Sequence, residues 1–241
     1  MKKKVFILFM LVSLLLIACG PNGETAVDAE TQQKEEEIAG IKKEIPSTVR
    51  AVLSTHYNAD WDEDGKGYNL KGPGQLFNRV AYGTFNGKGL LYDGTTHGDI
   101  AAESKAARRE IYLFLDYDDS VIKSVAKALN EALQYSIAVG LLEVLFKKIR
   151  RCAKAYYINV HDVLQNNLNK LKTLSLEDIV LLRTRLLELE TAITKLKKNI
   201  TPDGEVATKD DALAKLDNIH VGCDHIIMLS YDIIDVLNLI D

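Results

Sequence analysis

The stretch that decides the fold reads LLEVLFKKIRRCAKAYYINVHDVLQNNLNKL over residues 141–171. Within it Leu141, Leu145, Ile149, Cys152, Tyr156, Val160, Leu164, Leu168 and Leu171 recur every three or four positions, the spacing that stacks side chains on one face of an α-helix. Neither Gly nor Pro interrupts the run. The spacing therefore predicts one long helix, placed centrally in the fold.

Working outward, Ser175 followed by Asp178 reads as a capping box with the shorter acid, and Ile179, Leu182, Leu186, Leu189, Ile193 and Leu196 carry the next stripe. Thr201-Pro202-Asp203-Gly204 stops that helix, and Thr208 with Asp211 starts the last one. Its stripe includes Leu213, Leu216, Ile219, Cys223, Ile226, Ile233, Val236, Leu237 and Ile240. On the N-terminal side, Val121, Val125, Leu129, Leu133 and Ile137 follow a cap at Asp118 or Asp119, and Ala107, Ile111, Phe114 and Leu115 mark a helix ending near Asp116. Four consecutive amphipathic helices bury their stripes most easily against one another. The expected fold is all-α, an antiparallel helical bundle with a long central helix.

Residues 38–103 are less regular. A short helix capped by Ser47 is expected at 47–57, with Val49, Val52 and Leu53 on one face, and another near 75–85 with Leu76, Phe77 and Val80. Gly83, Gly87, Gly89, Gly94 and Gly98 break up longer elements, so 86–102 reads as a loop folded over the helices. This glycine-rich part would supply, with the helix ends, a variable contact surface.

The extreme N-terminus reads as an address. Lys2, Lys3 and Lys4 precede an apolar run of thirteen residues, Val5 to Ile17, shorter than the roughly 20 that span a bilayer as a helix. The run ends Leu16-Ile17-Ala18-Cys19-Gly20, the form of a bacterial lipobox, with cleavage before Cys19 and acylation of that residue. The expected organisation is a signal peptide over 1–18, a lipidated acidic tether over 19–37 (extended or a solvated helix), and a single helical domain over 38–241. More than one acyl chain makes such anchoring stable. Loss of the three lysines leaves 27 basic and 34 acidic side chains, a net charge of −7. Such a surface has no field to hold nucleic acid or to lie flat on anionic lipid, so the acyl group is the membrane attachment.

Chemical motifs are few. Asp60-Trp61-Asp62-Glu63-Asp64-Gly65 matches the opening of a calcium-binding EF-hand loop, but the twelfth position, where a bidentate Glu belongs, is Lys71. An acidic turn accounts better for it, with a calcium-dependent surface protein as the alternative. His220, Cys223, Asp224 and His225 are metal-ligand types spread over more than one helix face. Cys152 and Cys223 read as buried small hydrophobes, with an inter-helix disulfide geometrically open to them. Gly83, Gly87, Lys88 and Gly89 do not form a P-loop, because no Ser or Thr follows the lysine. His56, His97, His161, His220 and His225 are scattered without an adjacent nucleophile. Lys147-Lys148-Ile149-Arg150-Arg151 reads as a charged outer face beside a buried stripe. No catalytic residue, metal ligand or cofactor-binding residue is assigned, and the expectation is a non-enzymatic protein without a cofactor.

At Arg108-Arg109-Glu110-Ile111-Tyr112-Leu113-Phe114-Leu115-Asp116-Tyr117-Asp118 the chain resembles the surface lipoproteins of Lyme and relapsing-fever spirochaetes grouped as paralogous family fifty-four, the CspA-like proteins. The shared pattern is a basic pair, an aromatic-aliphatic helix end, then Leu-x-Tyr-Asp leading into a long helix, and it covers about residues 105–200. The resemblance implies an all-helical fold displayed on the outer membrane surface. It implies a host complement component or regulator as partner, in immune evasion, or a tick gut protein instead. No contact residue carries over by position. The dimer-forming C-terminal extension of the best-known relative is not evident, so a monomer is expected. Acylation has a direct check: cells fed an alkyne-tagged palmitate should label the protein, and Cys19→Ala should abolish the label, whereas label persisting in that variant would refute the anchor.

Overall fold

The computed structural model describes residues 23–95, 101–134, 139–200 and 209–240. Helix α1 (Gly23–Glu44) leads to α2 (Ser47–Tyr57), an irregular segment with a 3-10 turn at Leu76–Asn78, and a hairpin of β1 (Ala81–Phe85) and β2 (Lys88–Leu91). Then come α3 (Ala101–Phe114), α4 (Asp119–Gln134), α5 (Val139–Ala153), a π-helical stretch (Lys154–Asp162) and α6 (Val163–Asn167). A 3-10 turn at Leu171–Thr173 precedes α7 (Leu176–Ile200) and α8 (Lys209–Leu237). Among the described residues the fold is mostly helical, and that two-stranded hairpin is its sheet.

The α7–α8 pair is antiparallel: Arg185 meets Asp232 at one end, at 3.3 Å, while Leu196 lies against Gly222 at the other. A Cβ on Gly222 would fall 2.7 Å from Leu196 Cδ1, so the missing side chain lets the helices approach. All six residues of the α7 stripe, from Ile179 to Leu196, are buried. Ser175 caps α7, its Oγ accepting from Asp178 N–H at 3.1 Å and donating to the Asp178 carboxylate at 2.5 Å, so the two residues close one half of the expected box and a side-chain bond replaces the other. On the far side of α7 lies α1, where Ile41 is fully buried and Arg183 pairs with Glu37 at 2.9 Å. The 19–37 stretch is thus helical from residue 23, the second of the two conformations expected.

α5, the π-helical stretch and α6 continue one another, since the junction residues Ala153, Asp162 and Val163 keep right-handed helical angles. This is the long helix expected, and it packs on α8 with α3 against its other side. Two details differ. Leu141 is 51% exposed and Leu142 is buried in its place. The wider π turns bring Tyr156, Tyr157, Val160 and His161 inside together, broadening a stripe that a uniform period draws as narrow. In α4 the face is likewise rotated by one residue, with Ile122 and Ala126 the deepest.

The helix expected near 75–85 is replaced by the 3-10 turn and β1, and part of the expected 86–102 loop is β2. Asn86 and Gly87 both take positive φ, 50° and 74°, at the two-residue link between Phe85 and Lys88. Asn-Gly in that conformation matches the twist of a tight hairpin, and it outweighs the helical spacing of Leu76, Phe77 and Val80. Ser47 makes no capping bond, and Pro46 occupies the cap position. The stop proposed at Thr201–Gly204, the start proposed at Thr208, and Ile137 lie outside the described residues.

Candidate functional site

The most connected polar groups cluster around α3, on the segment that carried the family resemblance. Arg108 is buried; its Nε donates to Glu63 Oε1 at 2.6 Å and one Nη to the Tyr92 carbonyl at 2.5 Å. Tyr112 donates its phenolic hydrogen to the other oxygen of Glu63. Arg109 turns to α2, where its guanidinium donates to the carbonyls of Thr55 (2.7 Å), His56 and Asn58 (2.9 Å). It occupies the C-terminal end of α2, where unsatisfied carbonyls and the helix dipole both favour a cation. Its guanidinium also lies 5.4 Å over the Trp61 ring.

The rest of the segment is as fully engaged. Leu113, Phe114 and Leu115 are core. Asp116 and Tyr117 adopt positive φ as α3 ends, and Tyr117 N–H donates to the Tyr112 carbonyl at 2.9 Å. Asp116 accepts from Lys197 Nζ at 2.6 Å and from Tyr157, tying α3 to α7 and the π-helical stretch. Asp118 Oδ1 accepts from Ser120 N–H at 2.8 Å and Val121 N–H at 3.0 Å, capping α4. The Ser120 hydroxyl, which donates to the same oxygen, and then the Val121 N–H hold its carboxyl below the usual range.

Ionisation follows the same geometry. Burial, reinforced by Glu63, pushes the Tyr112 phenol far up, and burial with Asp116 does the same to Tyr157. Both stay protonated as donors. Tyr117 donates to the Arg109 carbonyl at 3.1 Å, so it accepts from His56 Nδ1–H at 2.9 Å. Burial and then the Arg109 charge lower the His56 pKa, keeping that ring neutral. His161, fully buried, meets Glu190 at 2.8 Å, and Tyr156 donates to the same carboxylate at 2.9 Å. Each of these groups is held by a neighbour across an element boundary; none faces an open cleft as a nucleophile beside a base.

The calcium-like turn is absorbed by this centre. Glu63 points inward to Arg108, while Lys71 Nζ sits 2.8 Å from Asp64 and 3.7 Å from Glu63. Lys71, at the twelfth position, thus pairs with Asp64, while Asp60 and Asp62 are exposed. Asp60 is exposed and turns away as part of an Asn58 side-chain turn. Cys223 is buried whereas Asp224 pairs with Lys148 and lies 3.5 Å from His220, so that set does not converge. Among the described residues no group of three His, Cys, Asp or Glu is arranged to hold a metal, and no helix is long and apolar enough to cross a membrane. The basic run divides by role: Ile149 is core, Arg150 pairs with Glu110 at 2.5 Å, and Lys148 bridges to α8. Cys19 and His97 lie outside the described residues.

Among the described residues, two of the hollows with room for a ligand stand out. An apolar cavity of about 120 Å³ lies under α4, lined by Phe77, Ile111, Ile122, Leu129, Leu145 and Leu216 among others, with Glu131 and Asn199 its polar members. The other is the outer face of α7 and α8, a shallow groove with Leu187, Thr191, Met228 and Tyr231 along it and Arg185, Glu188, His225 and Asp232 beside them. Met228 is 63% exposed and Tyr231 54%. Of the 59–102 loops expected to provide contacts, Tyr68, Leu70, Phe77, Val80 and Tyr92 are core, while Phe85 at the hairpin tip is 54% exposed.

A family model described as Borrelia Bbcrasp-1 domain containing protein matches residues 75–238. The chain belongs to this family. The match takes in the whole segment from Arg108 to Asp118, the π-helical stretch and both helices of the α7–α8 pair. Among solved structures, the chain is similar to that of a Borrelia spielmanii protein, BSA64, described as orthologous to BBA64 of B. burgdorferi. Identity is 16%, the TM-score is 0.50, and the alignment covers 86% of this chain and 96% of that one. No curated protein matches at a significant level. The polar groups of the segment from Arg108 to Asp118 are thus occupied by contacts within the fold.

The neutral His56 gives a pH test. Its folded pKa lies below the ordinary 6.5, so the unfolded chain binds the proton first; the stability it contributes is complete above about pH 6.5 and declines as pH falls through the folded value. Between about pH 6.5 and 5 the melting temperature should fall less steeply in His56→Gln than in the parent. Parallel slopes would show that His56 is not held neutral.

Proposed function

We propose that the protein is a lipid-anchored, non-enzymatic protein of the Borrelia outer surface that binds a host protein through the outer face of α7 and α8, with a complement component or regulator as the partner. The observation that carries this reading is the exposed apolar row of that face. Leu181 and Leu187 on α7, with Val221, Met228 and Tyr231 on α8, are more than a third exposed and are flanked by paired charges. Exposed aromatic and sulfur side chains on a rigid helical pair, rimmed by charge, have the composition of a protein interface. Family membership and the lipobox ending at Cys19 support display at the cell surface.

Immobilised lipid-free protein should retain a complement component or regulator from vertebrate serum. A Leu187→Glu, Met228→Glu double variant should lose roughly tenfold or more of that affinity with an unchanged melting temperature. Retention of no serum protein would refute the complement reading, and retention from tick gut extract alone would move the partner to the vector. Undiminished capture by the double variant would place the contact on another face.

A further inference from the structure

Cys152 on α5 and Cys223 on α8 are both fully buried and free. They lie at the same level of the α5–α8 packing, each buried within it. One helical turn before Cys152, Lys148 reaches across to Asp224, the residue next to Cys223, so the two helices are pinned in register at this level. On α8, Gly222 adjoins the pair and admits Leu196 of α7. Small residues at this crossing let two short side chains meet, the condition for a bridge between packed helices. An ordinary pair of core hydrophobes would not require two thiols in the whole described chain to fall opposite one another.

We propose that Cys152 and Cys223 form a dithiol–disulfide couple that locks α5 to α8 when the protein meets a peroxide outside the cell. The Cys152 sulfur attacks a peroxide oxygen; the O–O bond breaks, one water leaves, and a sulfenic acid remains. The Cys223 sulfur then attacks that sulfur, the S–O bond breaks, and a second water carries off the remaining proton. Two thiol hydrogens and one peroxide become one S–S bond and two waters, with both sulfurs oxidised and both peroxide oxygens reduced. The neighbouring Cys223 thiol and then burial push the Cys152 pKa up, which opposes thiolate formation in the closed bundle. Reaction therefore passes through openings in which α8 lifts from α5, and the bond, once made, suppresses those openings. The closed loop holds α6 and α7, so the constraint falls on the chain that carries the proposed contact face, although the couple itself does not depend on that reading.

The test uses the full chain, reduced and then treated with hydrogen peroxide, alkylated under denaturing conditions and digested. Mass spectrometry should find the Cys152 peptide joined to the Cys223 peptide within one molecule. The melting temperature should rise by roughly 5–15 °C and return with dithiothreitol. Cys152→Ala and Cys223→Ala should show no dithiothreitol-reversible rise. Should either variant fold poorly, the comparison of oxidised with re-reduced parent protein decides the matter alone. Recovery of both cysteines as free thiols or sulfinic acids would overturn the proposal, as would bonding to Cys19 or to a second molecule, or a joined pair that leaves the melting temperature unchanged.

Discussion

Two buried or half-buried cations on adjacent positions, Arg108 and Arg109, hold the irregular third of this molecule to its helices. Burying a guanidinium is costly unless it is paired and its donors are met, and removing one partner of such a pair leaves the other uncompensated. Arg108 has Glu63 and the Tyr92 carbonyl, drawn from opposite ends of the irregular segment, so one side chain fixes both ends against α3. Arg109 satisfies the last carbonyls of α2. Neighbouring residues on one helix point in different directions, so the pair clamps two separate parts of the chain at once. Apolar residues of similar volume could match the stability of such a centre; what the charges add is a register, since only one arrangement of 58–93 satisfies them all.

The rest of the segment from Arg108 to Asp118, which lies inside the family match, serves the same end. Each of its polar residues closes a contact between elements: Glu110 with Arg150, Tyr112 with Glu63, Asp116 with Lys197, Tyr117 with His56, Asp118 with the start of α4. A segment so engaged constrains the fold and leaves the outer helix faces free to vary. On this account a family can keep one architecture while its members present different side chains on the α7–α8 face.

The bundle was legible because its helices obey one period over many turns. The α7 stripe, most of the α8 stripe, the Asp118 cap and the Ser175–Asp178 box all stand where local rules place them. Where two rules competed, the period misled: Asn86-Gly87 selected a hairpin over a helix, and the π turns widened the face around Tyr156 and Tyr157. The centre at Arg108 was opaque for a different reason. Glu63 sits 45 residues from its arginine and inside an acidic turn that resembles a calcium loop, and long-range pairing of charges has no local signature. Lys71, where a ligand should be, was the one readable warning. The α7–α8 groove was equally hidden, because a stripe shows which face is buried and says little about which exposed apolar residues adjoin those of a neighbouring helix.

The account turns on the claim that the basic pair fixes the irregular segment without building the bundle. Hydrogen–deuterium exchange read peptide by peptide in the parent protein and in Arg109→Ala tests it most directly. Faster exchange confined to the end of α2 and to residues 58–93, with α7 and α8 as protected as before, is the predicted result. Unchanged exchange in 58–93, or loss of protection spread evenly through α7 and α8, would contradict it.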